Sequence, residues 1–163
     1  MFSFRVLRIL LVPIMAVVAL AGPGLAAAST PQTATGTFTY TSTHLTGFRI
    51  VGENAIIDLS SQVAYTGTFS GTSVLSGTLT FHPNGKADFQ DVETFTGTVN
   101  GIPGTVTFSL QGGSDGPNIT ASATVVAATG DLASLHGVLF DTAIHLSNGP
   151  AGTYAGKIEL AGS

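Results

Sequence analysis

Past residue 34 the chain reads in steps of two. The run "TGTFTYTSTH" (35–44) sets Thr or Ser against Gly36, Phe38 and Tyr40. "IIDLSSQVAYTGTF" places Ile57, Leu59, Val63, Tyr65 and Phe69 on one parity, and "VLSGTLTF" does the same with Leu75, Leu79 and Phe81. "TVTFSL" gives Val106, Phe108 and Leu110, while "YAGKIEL" gives Tyr154, Ile158 and Leu160. "GVLFDTAIHL" puts Val138, Phe140, Ile144 and Leu146 on one face and His145 on the other, facing outward. Alternation of this kind, rich in β-branched and aromatic residues, predicts strands. Between the runs stand "HPNGK", "NGIPG", "GGSDGPN" and "SNGPAG", segments whose Gly and Asn tolerate positive φ in turns. Only "TGDLASLHG" (129–137) suggests a helical turn, with Asp131 near its start.

The pattern predicts an all-β domain of about eight strands joined mainly by short hairpins, either a sandwich or an antiparallel β-barrel. A weak repeat favours the barrel. "TGTF" at Thr35, "TGTF" at Thr66 and "TGTV" at Thr96 recur at spacings of 31 and 30 residues. In each the glycine (Gly36, Gly67, Gly97) falls on the apolar parity, where it lets a strand bend toward a barrel axis.

One strand breaks its own rule. In "DVETFTGTV" (91–99) the alternate positions counted from Phe89 are Asp91, Glu93, Phe95, Gly97 and Val99. Residues two apart share a face of a strand, so two carboxylates stand on the face that Phe89, Phe95 and Val99 bury. Glu93, next to Phe95, is expected deep in the interior, with Asp91 nearer one mouth. An acid in low dielectric either finds donors or takes up a proton as desolvation raises its pKa. Tyr40, Tyr65 and Gln111 are the expected donors. In a cavity such a group can polarise a ligand or move a proton; the structural alternative is a hydrogen-bonded acid with no role beyond the fold.

Composition narrows the partners. The first 28 residues carry two arginines, the apolar run "ILLVPIMAVVALAG" and an A-x-A step at Ala26–Ala28, the layout of a signal peptide for export. Pro13 and Gly22-Pro23-Gly24 shorten the run below what a spanning helix needs. Removing 28 of 163 residues leaves 135, a single domain (29–163) without cysteine. Its cations are Arg49, Lys86 and Lys157 against nine acids, a balance that disfavours nucleic acid and anionic membranes. With so few charges, 23 threonines dress the outer faces.

The segments "GTFTYTS", "YTGTFSGTSVLSGTLTFHPNGKADF", "VETFTGTVNGIPGTVTFSLQGG" and "ATGDLASLHG" together resemble, in order, a bacterial family of unknown function. That family is grouped with the allene-oxide-cyclase-like barrels, relatives of the dirigent proteins. The resemblance runs from about Thr35 to Leu160, clearest at Glu93, Phe95, Gly97, Gly101, Gly104, Phe108 and Gln111. It implies a small antiparallel barrel, often a homo-oligomer, with an apolar lumen, but no reaction. Thr94 stands where the family pattern has a basic residue, and Ala123 where it commonly has a tryptophan. The first removes an expected charge partner for Glu93, and the second alters the cavity.

No cofactor motif is present. His44, His82, His136 and His145 lack metal-ligand spacing, so no metal site is expected, and His82 opens a solvated hairpin. There is no G-x-S-x-G elbow, and the glycine-rich loops lack the following helix of a phosphate cradle. The leading expectation is a secreted barrel that binds a small apolar ligand through Tyr40, Tyr65, Phe89, Asp91, Phe95 and Gln111. Behind it stands a cyclase or isomerase in which Glu93 is catalytic, and then a structural surface protein with a packed lumen. The export reading predicts that mass analysis of the mature protein finds its N-terminus at Ser29, within a residue or two; intact Met1 in a membrane fraction is the contrary result.

Overall fold

The computed structural model describes residues 30–147 and 149–161; the expected signal segment lies outside them. Eight antiparallel strands follow in order: β1 (Gln32–Val51), β2 (Asn54–Gly67), β3 (Phe69–Phe81), β4 (Lys86–Val99), β5 (Ile102–Asp115), β6 (Asn118–Gly130), β7 (His136–Leu146) and β8 (Gly149–Glu159). Each pairs with its neighbour in sequence, and β1 pairs with β8, closing the barrel. Closure leaves one lumen for the apolar parity to fill.

The turns follow from local chemistry. Asn100 (φ 51°) and Gly101 (φ 84°) make the two-residue link between Val99 and Ile102, both in the left-handed region that an Asn-Gly hairpin turn requires. β1 carries an irregularity between Tyr40 and Ser42, where the Thr41 hydroxyl donates to the Gln62 carbonyl at 3.2 Å. Beyond Thr39, β1 has no register partner on β8, so the β1–β2 hairpin runs on with Leu45, Phe48 and Ile50 exposed.

One end of the lumen is closed. Phe69, Phe95, Phe108 and Tyr154 interlock edge to face, with ring centroids 5.4–5.8 Å apart. Beneath them Leu132 and Leu135, in the loop between β6 and β7, are buried. That loop is where a helical turn is expected from sequence. It forms tight turns instead, with the Leu135 N–H donating to the Leu132 carbonyl at 2.8 Å. Its two leucines are buried at the barrel end, and a single helical turn is marginal by itself.

The expected inward glycines are explained by close approach. The Tyr154 hydroxyl accepts the Phe69 N–H at 2.9 Å and donates to the Thr66 carbonyl at 2.9 Å. A Cβ on Gly36 would lie 2.3 Å from that hydroxyl, and one on Gly97 would lie 2.8 Å from the Phe95 ring. Gly67 is exposed by area, yet its bare side faces Gly36, its register partner, and Tyr154.

β7 corrects the sequence reading. Leu139, Asp141 and Ala143 face the lumen, while Val138, Phe140 (64% exposed), Ile144 and Leu146 face outward. Opposite β7 the lumen is already occupied by Tyr154, Tyr65 and Phe38, whose rings lie 5.8–5.9 Å apart in succession, so the smaller set of side chains fits. His145 therefore takes the inward parity and stands at the open mouth with Tyr40 and Pro150, not on the outer wall as expected.

Tyr154→Phe leaves the packing intact and the buried Phe69 N–H without its acceptor. The expected result is a loss of about 1–3 kcal/mol with unchanged m-value in urea denaturation.

Candidate functional site

The even rhythm of β4 delivers Ala87, Phe89, Asp91, Glu93 and Phe95 to the lumen in turn, as its burial pattern shows. Glu93 sits opposite Leu75 on β3 and Phe108 on β5. It is 1% exposed. The Ser73 hydroxyl donates to its Oε1, and the Tyr65 hydroxyl donates to its Oε2 at 3.1 Å. Burial pushes the Glu93 carboxyl above the ordinary range, and those two hydrogen bonds pull it partly back.

Asp91 lies one step nearer the open end and is 9% exposed. Its side chain lies over Gly77, where an added Cβ would stand 1.7 Å from Asp91 Oδ1. Burial, and then the charge of Glu93, raises Asp91 to about 6. The lumen face of β7 adds a third acid, Asp141, placed opposite Tyr154 on β8 and raised to about 7 by burial and then by Glu93. Burial also raises the Tyr40 and Tyr65 phenols, with the charge of Glu93 next in effect, so both are neutral hydroxyls near pH 7.

These groups surround a cavity. A space of about 90 Å³ opens at the end bounded by the β7–β8 turn, with walls of Tyr40, Leu59, Leu79, Phe89 and Ile119 and with Asp91 at its side. A narrower space of about 30 Å³ brings Glu93 and Asp141 together with Tyr40, Tyr65 and Phe38. Below this level stands the aromatic plug, and a separate space of about 100 Å³ lies at the far end among Val99, Ile102, Leu135 and Ile158.

Of the residues expected from sequence, the structure brings Tyr40, Tyr65, Phe89, Asp91 and Glu93 to this cavity. Phe95 is fully buried in the plug, in edge-on contact with the Tyr65 ring. Gln111 is a correction. Val106, Phe108 and Leu110 take the inner parity of β5, so Gln111 points outward into a broad polar concavity with Arg49, Thr78, Asp88 and Gln90. It gives Glu93 nothing. That concavity is larger than the lumen space, but it is shallow, solvated and polar, and the Arg49 charge in it is already paired with Asp58. Thr94 is exposed on the outer wall, so a basic residue there would not have met Glu93 either.

Sequence reasoning missed two members of the site. Ser73, buried at 3% and bound to Glu93, shares parity with Leu75 in "GTSVLSG" and was recoverable from that alternation. Asp141 was hidden by the reversed reading of β7. Among the described residues no group of three His, Asp or Glu is placed to hold a metal ion. His82 is partly buried, held by Asn54 at 3.2 Å and Asp88 at 2.8 Å, rather than freely solvated.

A family model described as a protein of unknown function, DUF3224, matches residues 34–149. The chain belongs to that family. The crystal structure of a DUF3224 protein of unknown function from Shewanella oneidensis MR-1 is similar at 16% identity and TM-score 0.62, covering 78% of this chain and 97% of that one. The pterocarpan synthase dirigent protein GePTS1 is similar at 12% identity and TM-score 0.51, covering 88% and 99%. Identities this low establish a shared dirigent-like fold and nothing of the activity. No curated protein matches the chain.

Because Asp91, Asp141 and Glu93 have raised pKa values in the folded state, the native protein holds protons that the unfolded chain has released. Their favourable contribution is complete below the ordinary carboxyl range near 4 and is lost as pH rises through about 6 and 7. Thermal denaturation at a series of pH values is expected to give a Tm that falls between about pH 4 and pH 8. Asp141→Asn should flatten that slope and raise the Tm at its alkaline end; a Tm that climbs across the window is the opposite result.

Proposed function

We propose that this DUF3224 protein is an exported binding module that holds a small, largely apolar molecule in the open mouth of its lumen. The observation that carries the reading is the cavity lined by Tyr40, Leu59, Leu79, Phe89 and Ile119. A well-packed interior has few voids larger than a water molecule, and this one has apolar walls, an opening and a few convergent polar groups, as ligand sites do. At about 90 Å³ it suits one ring or a short chain rather than a large lipid.

A second reading, a cyclase or isomerase, is favoured by one observation. Asp141, raised to about 7, can give or take a proton near neutrality. Glu93 suits that role less, because Ser73 and Tyr65 already hold both of its oxygens. Its geometry marks it first as the polar keystone of the cavity floor.

Native mass spectrometry of the protein purified from its own host is expected to show a co-purifying small molecule. Glu93→Gln keeps the shape and the hydrogen bonds to one oxygen while removing the charge. If Glu93 serves ligand binding, retention falls by about tenfold or more, roughly 1.4 kcal/mol, while the barrel stays folded. Repeated absence of any bound mass counts against the binding reading.

A further inference from the structure

The mouth cavity has a charge problem that an apolar ligand does not solve. Asp91 and Glu93 reach it from β4, and Asp141 reaches it from β7. Among the described residues no cation enters the lumen. Arg49 pairs with Asp58, Lys86 pairs with Asp115 at 2.8 Å, and Lys157 donates to the Thr33 hydroxyl at 2.7 Å, all at exposed sites. The other titratable groups facing the acids are Tyr40 from β1, Tyr65 from β2 and Tyr154 from β8, with His145 at the rim. Three acids thus converge on a confined space without a positive partner.

A second feature points the same way. Tyr40 lines both cavity spaces, and among the described residues its hydroxyl makes no hydrogen bond, so it is free to meet a molecule held there. The rings of Phe38, Tyr40 and Tyr65 stand 5.9–6.4 Å apart along one wall, and Phe89 lines the other side. Aromatic faces beside carboxylates are the surroundings that an ammonium group favours, through cation–π attraction and direct charge pairing. Among the described residues no group of acids is placed to hold a metal ion, whereas an organic cation is larger and needs no fixed coordination distance.

We propose that the acidic mouth of the lumen binds an organic monocation, an ammonium head carrying a small apolar body. The head lies among Asp91, Glu93, Asp141 and the Tyr40 hydroxyl, and the body lies against Leu59, Leu79 and Phe89. This rests on the lumen-binding reading above and specifies the ligand's charge. A bound cation favours the ionised acids, so binding expels protons from the carboxyls and strengthens as pH rises.

Calorimetric titration of the folded protein with benzylammonium and with benzyl alcohol separates the two claims. The probes share a ring and differ in charge. Benzylammonium is expected to bind about tenfold or more tightly than the alcohol near pH 8, with proton release to the buffer, and to lose that advantage near pH 5. Asp141→Asn, Glu93→Gln and Tyr40→Phe should each weaken the cation and spare the alcohol, and Asp88→Asn on the outer wall should change neither. Equal affinity for the two probes overturns the cation proposal and leaves the cavity reading standing. Binding of neither overturns both. Cation binding that is unchanged in Asp141→Asn and Glu93→Gln places the ammonium elsewhere and also overturns the proposal.

Discussion

The hydroxyl of Tyr154 reaches from β8 to the link between β2 and β3, where it takes the Phe69 N–H and gives its proton to the Thr66 carbonyl. That clasp ties together strands far apart in sequence, and it is possible only because Gly36 and Gly67 lack side chains where the phenol lies. With the tyrosine fixed, its ring packs on Phe69 and Tyr65, and those pack on Phe95, Phe108 and Phe38. The lumen is thereby divided. Its lower half holds the aromatic core capped by Leu132 and Leu135, and the cavity that the acids line lies in its upper half. Dispersion and apolar burial in the plug offset the cost of placing acids above it.

The acids are arranged by depth. Glu93, deepest, has both oxygens satisfied by Ser73 and Tyr65, which makes its burial tolerable. Asp91 and Asp141 have no such donors among the described residues, and proton uptake takes the place of hydrogen bonding. One buried carboxylate raises its neighbours, so the cluster titrates as a unit rather than residue by residue. The cavity floor therefore carries a charge that depends on pH and on what is bound there. The surrounding Thr-rich wall does not: the hydroxyls of Thr37 and Thr66, 2.8 Å apart, satisfy one another on the outside without charge.

Much of this was legible in the chain. Period-two alternation gave the strands, and Gly and Asn at the turns gave the hairpins, because backbone sterics and local hydrogen bonding act within a few residues. The inward placement of Glu93 and Asp91 followed from the same parity, since Phe89 and Phe95 flank them on β4. Gln111, expected as a donor to Glu93, lies on the outer wall instead. Val106, Phe108 and Leu110 had already assigned it to the outer wall.

What the sequence determined by itself is the set of strands, their turns and the face of each strand whose large apolar residues have no rival. The tertiary structure alone decided β7, where both faces offered hydrophobic side chains. There the larger set, Val138, Phe140 and Ile144, was turned outward because the lumen opposite was already filled by tyrosine and phenylalanine rings. That choice brought Asp141 inside and made a cluster of three acids from the pair visible in β4. Which face of a strand is buried depends on the volume left by strands distant in sequence, and that volume exists only once the barrel has closed.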